Sequence, residues 1–550
     1  MTAPQQPPTD PSPTEGVDPV AAEIAAGYAF TGPALEFGAV VHGGKPHPGA
    51  QVRVPLSMMN RHGLIAGATG TGKTKTLQLL AEQLSAQGVP VVLADVKGDL
   101  TGLAQSGATS DRVTQRATDT ADAWTPTGFP VEFLALGGLG TGVPVRSTIT
   151  DFGPVLLAKV MDLNATQESS LGLVFHYADQ AGLPLLDLKD LRAVISWLIS
   201  PEGKADLQGL GGLSKATAGV ILRNLIALDD LGGDVFFGEP EWETTDLIRT
   251  APDGRGVISS VELTEVQDRP ALFSTFLMWL LADLFEELPE VGDVDKPKLV
   301  FFFDEAHLLF TGASKAFLES VTQTVRLIRS KGVGVFFVTQ NPTDVPTPVL
   351  GQLGNRVQHA LRVFTPDDAT ALKKTVKTYP TSEAYDVAET LTSLGTGEAV
   401  VTVLSERGAP TPVAWTMVRA PRSFMGQIDP AVQQQAVASS PLHAKYATAV
   451  DRESAYEQLA ARLAPPPAPP APAPAPAPAP RPAPEPDSWR EPDLGRAEPA
   501  PRRRERAPEP EPDLVSRVLG SSAFRSFTRS AASALGREIT RGVFGTRRRR

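Results

Sequence analysis

"GATGTGKTKT", Gly67 to Thr76, is the stretch that decides the fold. It fits the pattern GxxxxGK[ST] at Gly67, Gly72, Lys73 and Thr74. It follows the strand-like "LIA" and runs into the helical "KTLQLLAEQL", the strand–loop–helix context in which such a loop cradles phosphates. The glycines let backbone N–H groups turn inward and the following helix presents its positive end to the anion. The cradle expected here is Gly67, Ala68, Thr69, Gly70, Thr71, Gly72, Lys73, Thr74 and Lys75. Lys73 reaches the β- and γ-phosphates, and the Thr74 hydroxyl ligates Mg²⁺.

"KLVFFFDEAH" supplies a matching site. An apolar run leads into Asp304 and Glu305, two carboxylates at the tip of a buried strand. In phosphate-loop enzymes the first helps hold Mg²⁺ and an adjacent one can polarise an attacking water. Asp304 is therefore expected with Thr74 at the metal and Glu305 in catalysis, which favours hydrolysis over a switch or kinase. "GVGVFFVTQNP" is a second apolar run, ending in a polar tip at Thr339, Gln340 and Asn341. Gln340 there is a candidate sensor of the γ-phosphate or the water. Candidates for the arginine that neutralises transition-state charge are Arg326, Arg329, Arg356 and Arg362. "LADVKGDL" adds Asp95, Lys97 and Asp99 beyond another strand, on the side where ligands sit in open α/β sheets.

Working outward, short apolar runs alternate with helical patterns: "HGLIAG", "VPVVLADV", "GVISSVEL", "KLVFFFDE", "GVGVFFVTQ" and "NRVQHALRVF". That rhythm predicts an α/β fold with a mostly parallel sheet and right-handed crossovers. The expected organisation is a leader over 1–20, a first part of the core over 21–150, an inserted helical subdomain over 151–250 and a second part of the core over 251–420. In the insertion, Asn164 and Gln167 are placed as a capping box before an apolar-periodic run. "GEAVVTVLSERGAPTPVAWTMV" predicts a β-hairpin around Gly408, followed by closing helices over 421–463. A Pro/Ala-rich linker, a disordered and extended spacer, is expected over 464–512. Residues 513–550 read as a basic amphipathic tail, with Val515, Val518, Leu519, Phe524 and Phe527 at helical spacing between arginines.

Composition narrows the chemistry. The chain of 550 residues has no cysteine, which excludes disulfides and thiol catalysis. Its net charge of −11 gives no global attraction to nucleic acid, but the arginines cluster at one end. The N-terminus lacks the pattern of a signal peptide, and the most apolar window, Leu272 to Phe285, is short for a membrane span and contains Asp283. A cytoplasmic protein is expected.

The order "GATGTGKT", "LADVKGDL", "FFFDEAH", "RSKGVGVFFVTQNP", "LGNRVQHALRVFTP" resembles the HerA–FtsK superfamily of ring ATPases, and most of all the bacterial HerA-like group of helicases or translocases. The resemblance implies a RecA-like P-loop NTPase core, ATP and Mg²⁺ as cofactors, a homo-hexamer, and double-stranded DNA moved through its channel. It implies that Lys73 and Thr74 are Walker A residues, Asp304 and Glu305 the Walker B pair, Gln340 the sensor and Arg329 the arginine reaching a neighbouring subunit. The segment before the first expected core strand is too short for the β-barrel with which archaeal relatives dock a nuclease, so a nuclease partner is not carried over. Other readings of the same core are a secretion-coupling ATPase acting on proteins and a regulator that does not translocate. The tail is expected on DNA or on an anionic membrane surface.

Overall fold

The computed structural model describes residues 18–207, 210–292, 294–311 and 315–463. Most of the expected leader, the linker over 464–512 and the tail over 513–550 lie outside the described residues. Asp18, read as leader, caps the helix Pro19–Ala26 through bonds from the N–H groups of Val20 and Ala21.

Twelve strands form one sheet: β1 (Ala34–His42), β2 (Lys45–Pro55), β3 (Gly63–Ala66), β4 (Val91–Asp95), β5 (Val131–Leu136), β6 (Val143–Val145), β7 (Ile258–Glu262), β8 (Leu299–Phe303), β9 (Val333–Thr339), β10 (Asn355–Gln358), β11 (Glu398–Thr402) and β12 (Ala414–Val418). Their order is β2-β1-β12-β11-β10-β3-β9-β8-β4-β7-β5-β6. From β10 through β6 every pairing is parallel. From β2 through β10 every pairing is antiparallel. The fold is thus α/β with a mostly parallel centre, in which β9 separates the phosphate-loop strand β3 from the Asp-Glu strand β8.

The central strands are apolar throughout because both faces are covered. β4, β8 and β9 are buried along their whole length. Successive residues feed opposite cores, as a period of two demands. Phe301, Phe303, Val333, Val335 and Phe337 face one core, while Val300, Phe302, Phe336 and Val338 face the other. All six strands expected from apolar runs are present, and so is the antiparallel pair flanking Gly408. β1, β2, β5 and β6 were not anticipated. β2 carries Pro46 and Pro48, and β6 carries Pro144; both strands lie at the edges of the sheet, where a missing N–H is tolerated.

Between β6 and β7 the chain is helical, including Ala165–Gln180, Leu188–Leu198 and Lys215–Leu228. The capping box of Asn164 with Gln167 forms as its spacing requires. The helix Pro270–Glu287 contains the most apolar window and is buried beneath this region, with Trp279 1% exposed. Trp279 Nε1 donates to Asp151 Oδ2 at 2.7 Å, and burial together with Asp151 raises the carboxyl of Asp283. No helix among the described residues is long and apolar enough to cross a membrane.

One side chain ties β10 to the turn before β3 and to the chain just beyond β11. Buried Asn355, first residue of β10, donates to the carbonyls of Met58 and His62 at 3.0 Å each, and its Oδ1 accepts from Leu404 N at 3.1 Å. Asn355→Ala strands these groups and is expected to cost about 2–3 kcal/mol. Asn355→Asp, which loses both donors, should be no better. Urea denaturation of each variant checks this; a loss under about 0.5 kcal/mol for the alanine variant contradicts the clamp.

Candidate functional site: a phosphate loop facing paired carboxylates

The phosphate loop leaves β3 at Ala66 and enters the helix Lys73–Ala86. Its glycines adopt left-handed conformations, with φ of 152° at Gly67, 78° at Gly70 and 115° at Gly72. A Cβ at Gly67 would lie 2.5 Å from the Cβ of His359, so glycine is required there by space as well as by angle. The first i→i−4 bond of the helix is Thr76 N to Gly72 O at 2.9 Å. The N–H groups ahead of it are the orphan donors of a helix start, and Gly72 brings no capping side chain to occupy them. A cradle of donors is therefore open to an anion.

Neighbouring strands hold the loop in shape. Gly67 N donates to Gln340 O at 3.1 Å, Ala68 N to Ala360 O at 2.8 Å, and Gly397 N to Thr71 O at 2.9 Å. Behind it, fully buried His359 contacts Thr76 Oγ1 through Nε2 at 2.9 Å and Glu398 O through Nδ1 at 2.8 Å. Burial lowers this imidazole to about 4, so it is neutral and one ring nitrogen can accept while the other donates. Nothing in the sequence reading singled out His359 or Gly397. "NRVQHALRVF" reads as a continuous strand, but β10 ends at Gln358 and the chain beyond turns across the phosphate loop.

Lys73 is 9% exposed and its Nζ donates to Ala68 O at 3.2 Å. Burial pulls its ammonium below the usual lysine range, while Glu305 and Asp304 act in the opposite direction. Thr74 is half-buried at the helix start. Lys75 turns along the helix to Gln78 Oε1 at 2.9 Å, so only its backbone faces the role expected of it. Thr69 is exposed at the rim.

Asp304 and Glu305 follow β8 on the same edge of the sheet. Glu305 has φ 47°, an uncommon angle for a side-chain-bearing residue, costing on the order of 1–3 kcal/mol. Asp304 Oδ1 accepts from Glu305 N at 2.9 Å, and its Oδ2 is buried without a hydrogen-bond partner. Burial, then Glu305 and Asp99, push the Asp304 carboxyl up to about 7. An orphaned acceptor opposite a phosphate cradle fits a hydrated divalent cation, whose charge would return Asp304 to its ionised form. Glu305 pairs through Oε1 with Lys97 Nζ, and its Oε2 lies 3.2 Å from His307 Nδ1 without hydrogen-bond alignment.

Gln340 is exposed beside the loop, with its carbonyl already bonded to Gly67 N. Asp95 serves the backbone, accepting from the N–H groups of Lys97, Gly98 and Leu100. Arg326 and Arg329 are exposed, one on the helix Lys315–Ile328 and the other in the short turn before β9. That turn is at the opposite edge of the sheet from the phosphate loop. Arg356 is engaged internally with Thr378 Oγ1 and Leu350 O, and exposed Arg362 leans on Thr392 O.

A family model described as helicase HerA-like C-terminal matches residues 42–550. The chain belongs to this HerA-like family. No curated protein sequence matches it. Solved structures that it resembles include the plasmid coupling protein TrwB in complex with the non-hydrolysable ATP analogue ADPNP, at 16% identity and TM-score 0.48, over 73% of this chain and 98% of that one. TrwB in complex with ADP and Mg²⁺ matches at 16% identity and TM-score 0.46, over 73% and 98%. VirB4 of Thermoanaerobacter pseudethanolicus matches at 14% identity and TM-score 0.41, over 72% and 97%.

In this HerA-like chain His359 supports the cradle from behind without facing its open side. His359→Ala strands Thr76 Oγ1 and Glu398 O and is expected to cost about 1–3 kcal/mol. It should also weaken ATP binding, because the loop loses its backing; His359→Asn, which still has one donor and one acceptor, should retain part of both. Thermal melting and fluorescent-nucleotide titration measure the two effects. Wild-type binding in a clearly destabilised alanine variant contradicts the link.

Proposed function

We propose that the chain is an ATP-hydrolysing motor that assembles as a homo-hexameric ring and moves double-stranded DNA, with ATP and Mg²⁺ as cofactors. The observation that carries the hydrolysis reading is the convergence of the phosphate loop, Asp304 and Glu305 on one edge of the sheet. In this reading the loop N–H groups and Lys73 bind the phosphates. Thr74 and Asp304 hold Mg²⁺, which neutralises phosphate charge. Glu305 takes the proton of the attacking water, and Gln340 orients that water or the γ-phosphate.

Arg329 supports the ring. β9 has seven residues, so its two ends are about 20 Å apart, beyond the reach of an arginine side chain. In this reading Arg329 serves a neighbour's site. Family membership supports DNA as the substrate, and the basic tail over 513–550 supplies charge for DNA or an anionic surface. A cytoplasmic location agrees with this reading.

Lys73→Ala is expected to abolish turnover, whereas Glu305→Gln should keep ATP bound while lowering kcat by about 10²–10⁴-fold. Nucleotide binding and phosphate release measured side by side test the roles; equal loss of binding in both variants contradicts them. Arg329→Ala should bind ATP and hydrolyse it roughly 10³-fold more slowly. Mixed with Lys73→Ala subunits that exchange freely, it should regain activity, and a mixture with no regain contradicts the shared site. Duplex DNA should raise the wild-type ATPase rate, and mass in solution should correspond to six chains. An ATPase rate indifferent to DNA contradicts DNA translocation. Removal of residues 465–550 should preserve ATPase activity while weakening binding to DNA or to anionic vesicles at low salt; unchanged binding to both contradicts the tail's role.

A further inference from the structure

The ion pair between Lys97 and Glu305 ties the expected water-activating carboxylate to a loop that the hydrolysis scheme leaves idle. The Glu305 side chain is 7% exposed and that of Lys97 is 48% exposed, so the cation approaches the carboxylate from the solvent side. A general base must have its carboxylate free to meet the proton it takes. An ammonium bonded to it occupies one of its oxygens. The pair therefore opposes proton abstraction in the conformation observed.

Lys97 has little freedom to drift, because its backbone is held at both ends. Asp95 Oδ1 accepts from Lys97 N at 3.2 Å and from Gly98 N at 2.8 Å. From the other side, Gln427 Nε2 donates to Lys97 O at 3.2 Å and Ile428 N to Thr101 Oγ1 at 3.2 Å. A Cβ at Gly102 would meet Phe424 O at 2.1 Å, so the backbone of the two segments is in close contact. The backbone from which the ammonium reaches Glu305 is thus held in part by a segment more than three hundred residues further along the chain.

We infer that Lys97 is a positioning residue that latches Glu305 in a resting orientation, and that turnover requires the latch to open. This rests on the hydrolysis reading above and deepens it. It gives that reading a brake, set by the 423–428 segment and open to any anion that competes for the half-exposed ammonium.

The test is steady-state ATPase kinetics of the full chain at saturating ATP without DNA. Lys97→Met, which keeps the aliphatic stem, and Lys97→Ala are each expected to raise kcat about fivefold, the scale of one partly exposed ion pair. KM should stay within about twofold, since the phosphate cradle is untouched. Lys97→Arg, which can re-form the pair, should fall between wild type and Lys97→Met. Adding Glu305→Gln to Lys97→Met should remove the gain, because the lysine acts only through Glu305. A Lys97→Met kcat at or below wild type overturns the latch, and so does an arginine variant as fast as the methionine one. If wild type and every Lys97 variant bind ATP yet none hydrolyses it, the hydrolysis reading itself fails; an active wild type with an unraised Lys97→Met removes the latch alone.

Discussion

The phosphate loop depends on backbone bonds from the strands beside it. Six residues lie between Ala66 and the first residue of the following helix, and they carry no apolar side chain large enough to anchor them. Their shape comes from carbonyl groups on Gln340 and Ala360, at the ends of the chain segments flanking β3 on either side, and from the N–H of Gly397. The parallel centre of the sheet is thus more than a scaffold. It places the tips of β9 and β10 where they can grip the loop, so that its inward N–H groups are organised before any anion arrives. A shift of either neighbouring strand would reach the nucleotide site without touching a side chain of the cradle.

This dependence explains which parts were legible in the sequence. β4, β8 and β9 are buried on both faces, so each must be written as a continuous apolar run, and each was readable as such. Lys73, Asp304 and Glu305 stand at the ends of such features, where a polar residue interrupts an apolar or glycine-rich pattern. β1 and β2 left a weaker trace, because Glu36 and Gly38 interrupt the apolar run of β1, and β2 carries prolines and exposed residues in its first half. His359 and Gly397 left almost none. One acts by two hydrogen bonds inside what reads as strand, the other by a backbone N–H, and backbone contacts between distant segments have no residue signature.

The arginines illustrate the same limit from the other direction. Four were plausible from sequence because each ends or begins an element near the motifs. Local packing distinguishes them. Arg356 is spent on Thr378 and Leu350, where burial lowers its pKa, so its guanidinium bridges the short helix before β10 and the end of the helix after it. Arg329 remains exposed at the far edge, in a turn that ends with Gly332 at φ 77°. Position along a parallel strand, which sequence order supplies once the strand is known, then decides how far an arginine stands from the phosphate loop of its own chain.

The register of the three central strands sets where the Asp304 carboxylate stands. Ala66 pairs with Thr339, whereas Phe303 pairs with Phe337. Asp304 is therefore level with Val338, two residues short of the Gln340 tip, a recess of about 7 Å along the strand direction. The recess accounts for the contrast in burial: Gln340 is exposed, while Asp304 is 2% exposed with an orphaned oxygen. A carboxylate so placed is costly to ionise alone, which is why burial brings it to about 7. Raising it level with the tip would let water solvate it. The offset in register thus leaves Asp304 a buried carboxylate with one unpartnered oxygen, for which a nearby cation would favour the charged form.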